Sequence, residues 1–194
     1  ENKKCFTLQQ VTSALKHAET NDNVKDVIIN FKNIKSNLAN YQSLSYAIKS
    51  LAQKKTVTVY SENYNIHAYL AGSGASKIIL HPTGYLEMKG LGFQLLYFSN
   101  LIKSLGLEVE PIRAGKFKSA VEPFLAQEIS KENREQVTVL LQSVWDDIVS
   151  DIAKNRNVSV TQLNAIATDL LARTPEMALE QKLIDKVAYE DEFN

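Results

Sequence analysis

A chain of 194 residues with 44 % hydrophobic and 23 % charged residues is long enough to bury one substantial core and has the composition of an ordinary globular protein. Its 22 Lys and Arg balance 22 Asp and Glu to a formal net charge of 0, so the whole-molecule field gives no reason to expect nucleic acid or an anionic bilayer as partner. Cys5 is the single cysteine and can form no intrachain disulfide, and one thiol with three dispersed histidines is too few for a Cys/His zinc site; no metal and no cofactor is expected.

The longest apolar runs, such as Ile78-Ile79-Leu80 and Val139-Leu140-Leu141, fall far short of the ~18 to 20 residues of a membrane span. The first residues, Glu1-Asn2-Lys3-Lys4-Cys5-Phe6, lack the apolar region of a signal peptide and do not start with Met. Such a start is expected of a cut made inside a longer gene product, or of a processed end.

In chain order, Leu8, Val11, Leu15 and Ala18 fall at helical spacing behind Thr7, a good N-cap, and Asn21-Asp22-Asn23 breaks the pattern. Val24 to Phe31 is a β-branched run with the composition of a strand buried on both faces of a parallel sheet. Tyr41, Leu44, Ile48 and Leu51 predict a second helix, and Thr56 to Tyr60 a second strand. A small-residue segment from Ile66 to Ser76 follows, then a strand from Lys77 to Leu80 and a Gly-spaced stretch from Pro82 to Gly92. A helix over Leu95 to Leu105 and a strand over Leu107 to Ile112 complete the alternation, with Pro111 limiting the last pairing. This rhythm predicts an α/β fold with a mainly parallel sheet. After Arg113 the pattern is helical, with a long helix from about Lys131 to Arg156 and a short one opened by Thr174-Pro175-Glu176. Leu183 to Val187 either returns as a strand or packs as an extended tail. With no repeat and no Pro/Gly/Ser-rich linker, the chain reads as one domain: an α/β core over about 1–112, then a helical lobe over about 113–194.

Ala71-Gly72-Ser73-Gly74-Ala75-Ser76 lacks the spacing of either Gly-rich phosphate-binding motif; its small residues suit a helix packed closely on a sheet, while Gly84, Gly90 and Gly92 suit turns with positive φ. His17, His67 and His81 show no paired spacing and read as surface or structural residues. Asp146, Asp147 and Asp151 share one solvated helix face, and Trp145 reads as core. The segment Arg113-Ala114-Gly115-Lys116-Phe117-Lys118-Ser119-Ala120-Val121-Glu122-Pro123-Phe124 stands out, because it follows a predicted strand, where α/β sheets place their sites. Extended backbone there would point Lys116 and Lys118 to one side; a helix beginning at Lys118 would let only one face a pocket. A buried lysine can lose its charge and serve as a general base near neutral pH.

That segment closely resembles the lysine motif, Arg-x-Gly-x-Phe/Tyr-Lys-Ser-Ala-x-Glu-Pro-Phe, of the signal peptide peptidase A family, bacterial membrane-associated serine proteases with a Ser/Lys dyad. Supporting similarity lies in the expected order along Asn23 to Ile28, Thr56 to Tyr60, Ala75 to Gly84, Leu101 to Gly106 and Leu179 to Asp185. The resemblance implies a fold related to crotonase and Clp protease, with flanking helices and a C-terminal helical lobe. It also implies that Lys118 is the general base, that Ser119 orients nearby groups or caps the next helix, and that Arg113 and Glu122 pair to hold the loop. Ile66 falls where the family carries its nucleophilic serine, and Ser61, Ser73 and Ser76 fall outside that position.

The departure at Ile66 matches the long form of the family, whose N-terminal half carries the lysine and whose C-terminal half carries the serine. The family's first strand, its membrane anchor and its second half have no counterpart in these residues. The chain is therefore expected to be a piece of a longer peptidase, inactive by itself. Its implied partners are the serine-bearing half, neighbouring protomers of a homo-oligomer, and cleaved signal peptides as substrates. The implied location of the whole protein is the bacterial inner membrane, with catalytic domains on the extracytoplasmic side. The alternative is a catalytically idle crotonase-like scaffold or peptide-binding assembly module. Acyl-CoA chemistry is disfavoured because no Gly-rich oxyanion loop paired with a catalytic Glu can be placed.

Overall fold

A computed structural model describes residues 6–32, 34–111 and 121–193. The described chain forms two compact units, one of residues 1–90 with 147–194 and one of residues 91–146. The divisions between them fall after Gly90 and after Asp146.

The sheet-bearing unit opens with α1 (Leu8–Thr20), where Thr7 and Gln10 form a reciprocal capping box. Strand β1 (Asp26–Asn30) leads into α2 (Leu38–Ala52), capped by Asn37, then β2 (Thr56–Asn65), α3 (Ile66–Gly72) and β3 (Lys77–Glu87). The C-terminal part of the chain contributes the end of α6 (Lys131–Arg156), α7 (Val160–Asp169), α8 (Pro175–Glu180) and the two-residue β4 (Lys186–Val187). Thr174 caps α8 with Pro175 at its first position, as the sequence indicates.

The four strands pair in the order β1-β2-β3-β4, all parallel. Register is fixed by matched apolar positions: Val27 opposite Val57, Val59 opposite Ile78, and Leu80 opposite Val187. The core is dense. Val57, Val59, Ile78, Ile79 and Leu80 from the sheet, Ile48 and Leu51 from α2, Leu70 from α3, and Ile148, Ile152 and Leu163 from α6 and α7 are all fully buried. Strand β1 departs from the both-faces-buried expectation: it is the sheet edge, and Ile28 is 48 % exposed.

Strands β2 and β3 run further than their apolar runs indicate because both carry an irregularity. Ser61 pairs with Leu80 and Asn63 with Tyr85, so Glu62 lies opposite the four residues 81–84. Pro82, which has no N–H to give, is thereby tolerated in a strand. Gly84 is required there for close approach: a Cβ would collide with the Glu62 carbonyl oxygen and lie 2.9 Å from Leu80 Cδ1. Its φ is not positive, and neither is that of Gly92; of the three glycines expected to need such a backbone only Gly90 does, at φ +76°.

In the second unit, α4 (Ser99–Ser104) is shorter than the Leu95 to Leu105 run, and α5 (Glu122–Leu125) is a single turn leading to the first part of α6. The expected strand over Leu107 to Ile112 is not formed by its described residues, Leu107 to Pro111. Apolar composition alone does not make a strand: an extended segment needs a sheet neighbour to take its backbone N–H and C=O groups.

Candidate functional site

The segment just past the C-terminal end of β2 is the place where a parallel sheet offers a site, and residues 65–67 occupy it. Asn65 caps α3, its Oδ1 accepting from the Ala68 N–H at 2.8 Å, and Ile66 is the first helical residue, with its side chain buried. Chain geometry thus puts residue 66 on a strand-to-helix turn, the kind of turn that presents nucleophiles in several hydrolase folds. An isoleucine there has no lone pair to offer.

Buried tyrosines surround this turn. Tyr64 donates to the Ile79 carbonyl at 3.2 Å and Tyr69 to the Leu183 carbonyl at 2.6 Å; burial pushes both phenols well above their ordinary range. Neither is an acid or base near neutral pH. The His67 ring stacks on Tyr41, with centroids 5.6 Å apart and planes 26° from parallel, while the Tyr41 hydroxyl donates to the Ile34 carbonyl at 3.0 Å. Desolvation lowers the His67 pKa and favours its neutral form.

The serines nearest in sequence to residue 66 are engaged elsewhere. Ser61 Oγ lies 2.7 Å from the Asn63 carbonyl oxygen and 3.1 Å from that of Phe31. Ser73 donates to Leu70 O and accepts from Asn155 Nδ2, both at 2.8 Å, and Ser76 accepts from the Val57 N–H at 3.1 Å. Each hydroxyl ties backbone or helix to the sheet unit. His17 is exposed. His81 accepts from the Thr83 N–H at Nδ1 and meets Tyr189 edge-on at 5.0 Å, a structural pairing. Asp146 and Asp147 are exposed, and Trp145 is buried.

One polar assembly was not legible in the sequence. Asp185 takes the Ile78 N–H at 2.7 Å and both terminal nitrogens of Arg156 at 2.8 and 3.1 Å, and Arg156 also donates to the Lys182 carbonyl. Burial would lower the Arg156 pKa, but the Asp185 bonds outweigh it and hold the guanidinium charged. This assembly joins α6 and the turn after α8 to the start of β3, a structural role. An open depression of about 410 Å³ lies at the opposite edge, at the N-terminal ends of β1 and β2, lined by Lys25, Lys54 and Lys55 among others. Lys54 is paired with Glu19 at 2.8 Å and Lys55 donates to the Asn21 carbonyl, so two of its cations already serve the fold.

Of the motif residues, Arg113, Lys118 and Ser119 lie outside the described residues. Glu122 is described, and opens α5 with Pro123 behind it. Its Oε1 accepts from the Ser130 hydroxyl at 2.5 Å and its Oε2 from Asn133 Nδ2 at 3.0 Å and from the Ser130 N–H at 3.4 Å. The N-cap of α5 is Val121, with no side-chain cap bond. The Phe98 N–H donates to the Pro123 carbonyl at 2.6 Å, and the Phe98 and Phe124 rings stack with centroids 6.1 Å apart. Among the described residues no three His, Cys, Asp or Glu side chains are grouped as for a metal ion.

Comparison with known proteins places this geometry. The sequence pattern of peptidase family S49 matches residues 49–193. The chain is 30 % identical over 193 residues to Protease 4 of Salmonella typhi, covering 94 % of this chain and 31 % of that protein. It is 28 % identical over 164 residues to Protease 4 of Haemophilus influenzae, covering 84 % and 27 %, and so spans less than a third of the length of either relative. Two solved structures share the fold. A membrane-bound stomatin-specific protease superposes with a TM-score of 0.56 at 17 % identity, covering 95 % of this chain and 74 % of that one. A peptidase from Plasmodium falciparum gives 0.53 at 13 %, covering 94 % and 89 %.

Proposed function

Because the chain belongs to peptidase family S49, we propose that it is the lysine-bearing part of a longer Ser/Lys-dyad serine endopeptidase that degrades cleaved signal peptides. The observation that carries this reading is the pairing of an unbroken lysine motif, Arg113 to Phe124, with a buried Ile66 on the strand-to-helix turn after β2. One half of a dyad is written in the chain and the other is replaced by hydrocarbon. The nucleophile then comes from a second α/β half of the same protein, or from a neighbouring protomer of a homo-oligomer.

In this mechanism neutral Lys118 accepts the proton of the partner serine as its oxygen attacks the peptide carbonyl. Backbone N–H groups hold the oxyanion, and Lys118 returns the proton to the leaving amine. Water, deprotonated by the same lysine, then releases the acyl group. Desolvation is what keeps such a lysine neutral near pH 7. Among the described residues no helix is long and apolar enough to cross a membrane; in this reading the whole protein is held at the bacterial inner membrane, with the catalytic domains on the extracytoplasmic side.

Hydrolysis of an apolar fluorogenic peptide tests the proposal. The full-length protein cleaves it, the 194-residue chain alone does not, and Lys118→Ala in the full-length protein removes the activity. Cleavage retained by that variant refutes the lysine's role, and no cleavage by the full-length protein leaves a scaffold or peptide-binding module as the better account.

A further inference from the structure

A net charge of 0 for the whole chain says nothing of where its charges stand, and at the N-terminal end of the sheet they are unbalanced. Of the seven residues that line the open depression there, three are lysines, two carry hydroxyls and none is acidic. Three points of entry into the sheet bring them together: Lys25 ahead of β1, Lys54, Lys55 and Thr56 where α2 turns into β2, and Ser76 ahead of β3. The fold fixes these groups without consuming them. An ammonium has three N–H donors. Lys54 spends one on Glu19 at 2.8 Å with its side chain still 57 % exposed, and Lys55 spends one on the Asn21 carbonyl at 3.0 Å. No described residue bonds the Lys25 ammonium. Ser76 Oγ accepts from the Val57 N–H at 3.1 Å, which leaves its own O–H to give. Glu19 is already matched: the Lys54 bond, with Ser50 and the Lys16 charge beside it, holds its carboxyl below the ordinary range. What is left over is a surplus of donors carrying positive charge, and its complement is an anion rich in oxygen.

We propose that this depression is a phosphate-binding site, in which the oxygens of one phosphate group accept from the Lys25, Lys54 and Lys55 ammoniums and from the Thr56 and Ser76 hydroxyls. A carboxylate offers two oxygens in one plane. A phosphate offers oxygens in three directions, which suits donors arriving from three strand entries. The cavity of about 410 Å³ holds the group with room for water, and its open mouth leaves the substituent outside. A free phosphate ester and the headgroup of an anionic phospholipid present the same oxygens to it. The site stands at the far end of β2 from residue 66, so it is independent of the Ser/Lys reading and stands or falls apart from it.

The test is a titration of the 194-residue chain with pyrophosphate, inorganic phosphate and acetate at matched ionic strength, followed by the amide resonances of Lys25, Thr56 and Ser76. Pyrophosphate is expected to shift these resonances saturably with Kd at or below about 1 mM, inorganic phosphate to bind more weakly, and acetate not to bind. Lys25→Ala is expected to weaken pyrophosphate about tenfold, the worth of one charge-assisted bond. Lys25→Glu is expected to abolish binding, and Lys25→Arg, which keeps the charge, to stay within about threefold of the wild type. Lys103→Ala removes the same charge from outside the depression and is expected to change the affinity less than about twofold. Lys25 is exposed, and circular dichroism confirms that its variants are folded; if one is not, the other two decide. Flotation with vesicles of phosphatidylglycerol in phosphatidylcholine separates the two sources. Vesicle binding that pyrophosphate displaces and Lys25→Glu loses identifies a lipid headgroup, while pyrophosphate binding without vesicle binding identifies a free ester. The absence of a saturable shift, acetate binding as tight as that of pyrophosphate, or an equal loss in Lys103→Ala and Lys25→Ala overturns the site.

Discussion

The two units hold themselves together in different ways. The sheet-bearing unit buries whole side chains on both sides of β2 and β3, and its polar groups are spent inside it: Asp185 on Arg156 and the Ile78 N–H, Tyr69 on the Leu183 carbonyl, Ser73 on Leu70 and Asn155. Residues 91–146 use short polar clamps and one aromatic stack, and leave Leu96, Leu101, Leu105, Leu107, Val139 and Leu140 more than half exposed. The first arrangement keeps these contacts within one unit. The second is that of a surface with apolar area left over, which suits a part of the chain that completes its burial against the proposed second half or a neighbouring protomer.

Mutations that remove buried groups from the sheet unit should be the most damaging to the 194-residue chain. Leu80→Ala, at a fully buried position, is expected to cost about 3 to 5 kcal/mol; a loss below about 1 kcal/mol in urea denaturation would break the contrast between the units. Asp185→Ala strands the Arg156 guanidinium, whose side chain is 9 % exposed. Because Asp185 itself is partly solvated, the expected loss is about 2 to 3 kcal/mol, below the full cost of breaking a buried pair. Gly84→Ala forces a methyl against the Glu62 carbonyl and Leu80, and should cost about 1 to 3 kcal/mol through displaced backbone. Leu101→Ala and Leu140→Ala, in contrast, should stay within about 0.5 kcal/mol in this chain. In the proposed full-length assembly the same two changes are expected to weaken association in sedimentation.

The smallest effect is one of pH. Burial favours neutral His67 in the folded state, so the unfolded chain binds the extra proton and stability falls as pH drops through the unfolded value of 6.5 toward the lower folded one. Replacing His67 with Gln should flatten that part of the stability profile between pH 7.5 and pH 5.5. An unchanged slope in denaturant melts at the two pH values would show that the Tyr41 stack does not desolvate the ring.

Local signals served well where local physics decides. Thr7, Asn21 and Thr174 bound their helices because capping involves only the next few residues. The apolar runs at Val57, Ile78 and Leu80 located the centre of the sheet. Pairing over distance was less visible. Leu107 to Pro111 had the composition of a strand and found no ladder, while Lys186 and Val187, two residues with little signal, found one beside β3. At the candidate site, resemblance put Ile66 at the family's serine position, but that it is the first residue of α3 came only from the structure. The partners of Glu122 are 8 and 11 residues away, at the cap of a helix whose first residue no propensity rule fixes to better than a few positions. The Arg156 and Asp185 pair spans 29 residues, and nothing in the spacing announces it.

Strand β4 has a consequence for how the molecule comes into being. Its two residues pair with Ile79 and Leu80 across more than a hundred positions of chain, while Asp185 beside it caps the start of β3. Closing so large a loop is entropically slow, and long-range parallel pairing is the slowest kind. During synthesis the open edge of β3 must therefore wait, its backbone groups unsatisfied and its apolar face available to wrong partners, until nearly all of this sequence has been made. The interval between the synthesis of β3 and the arrival of residue 187 is the period in which a chaperone would matter most to this protein.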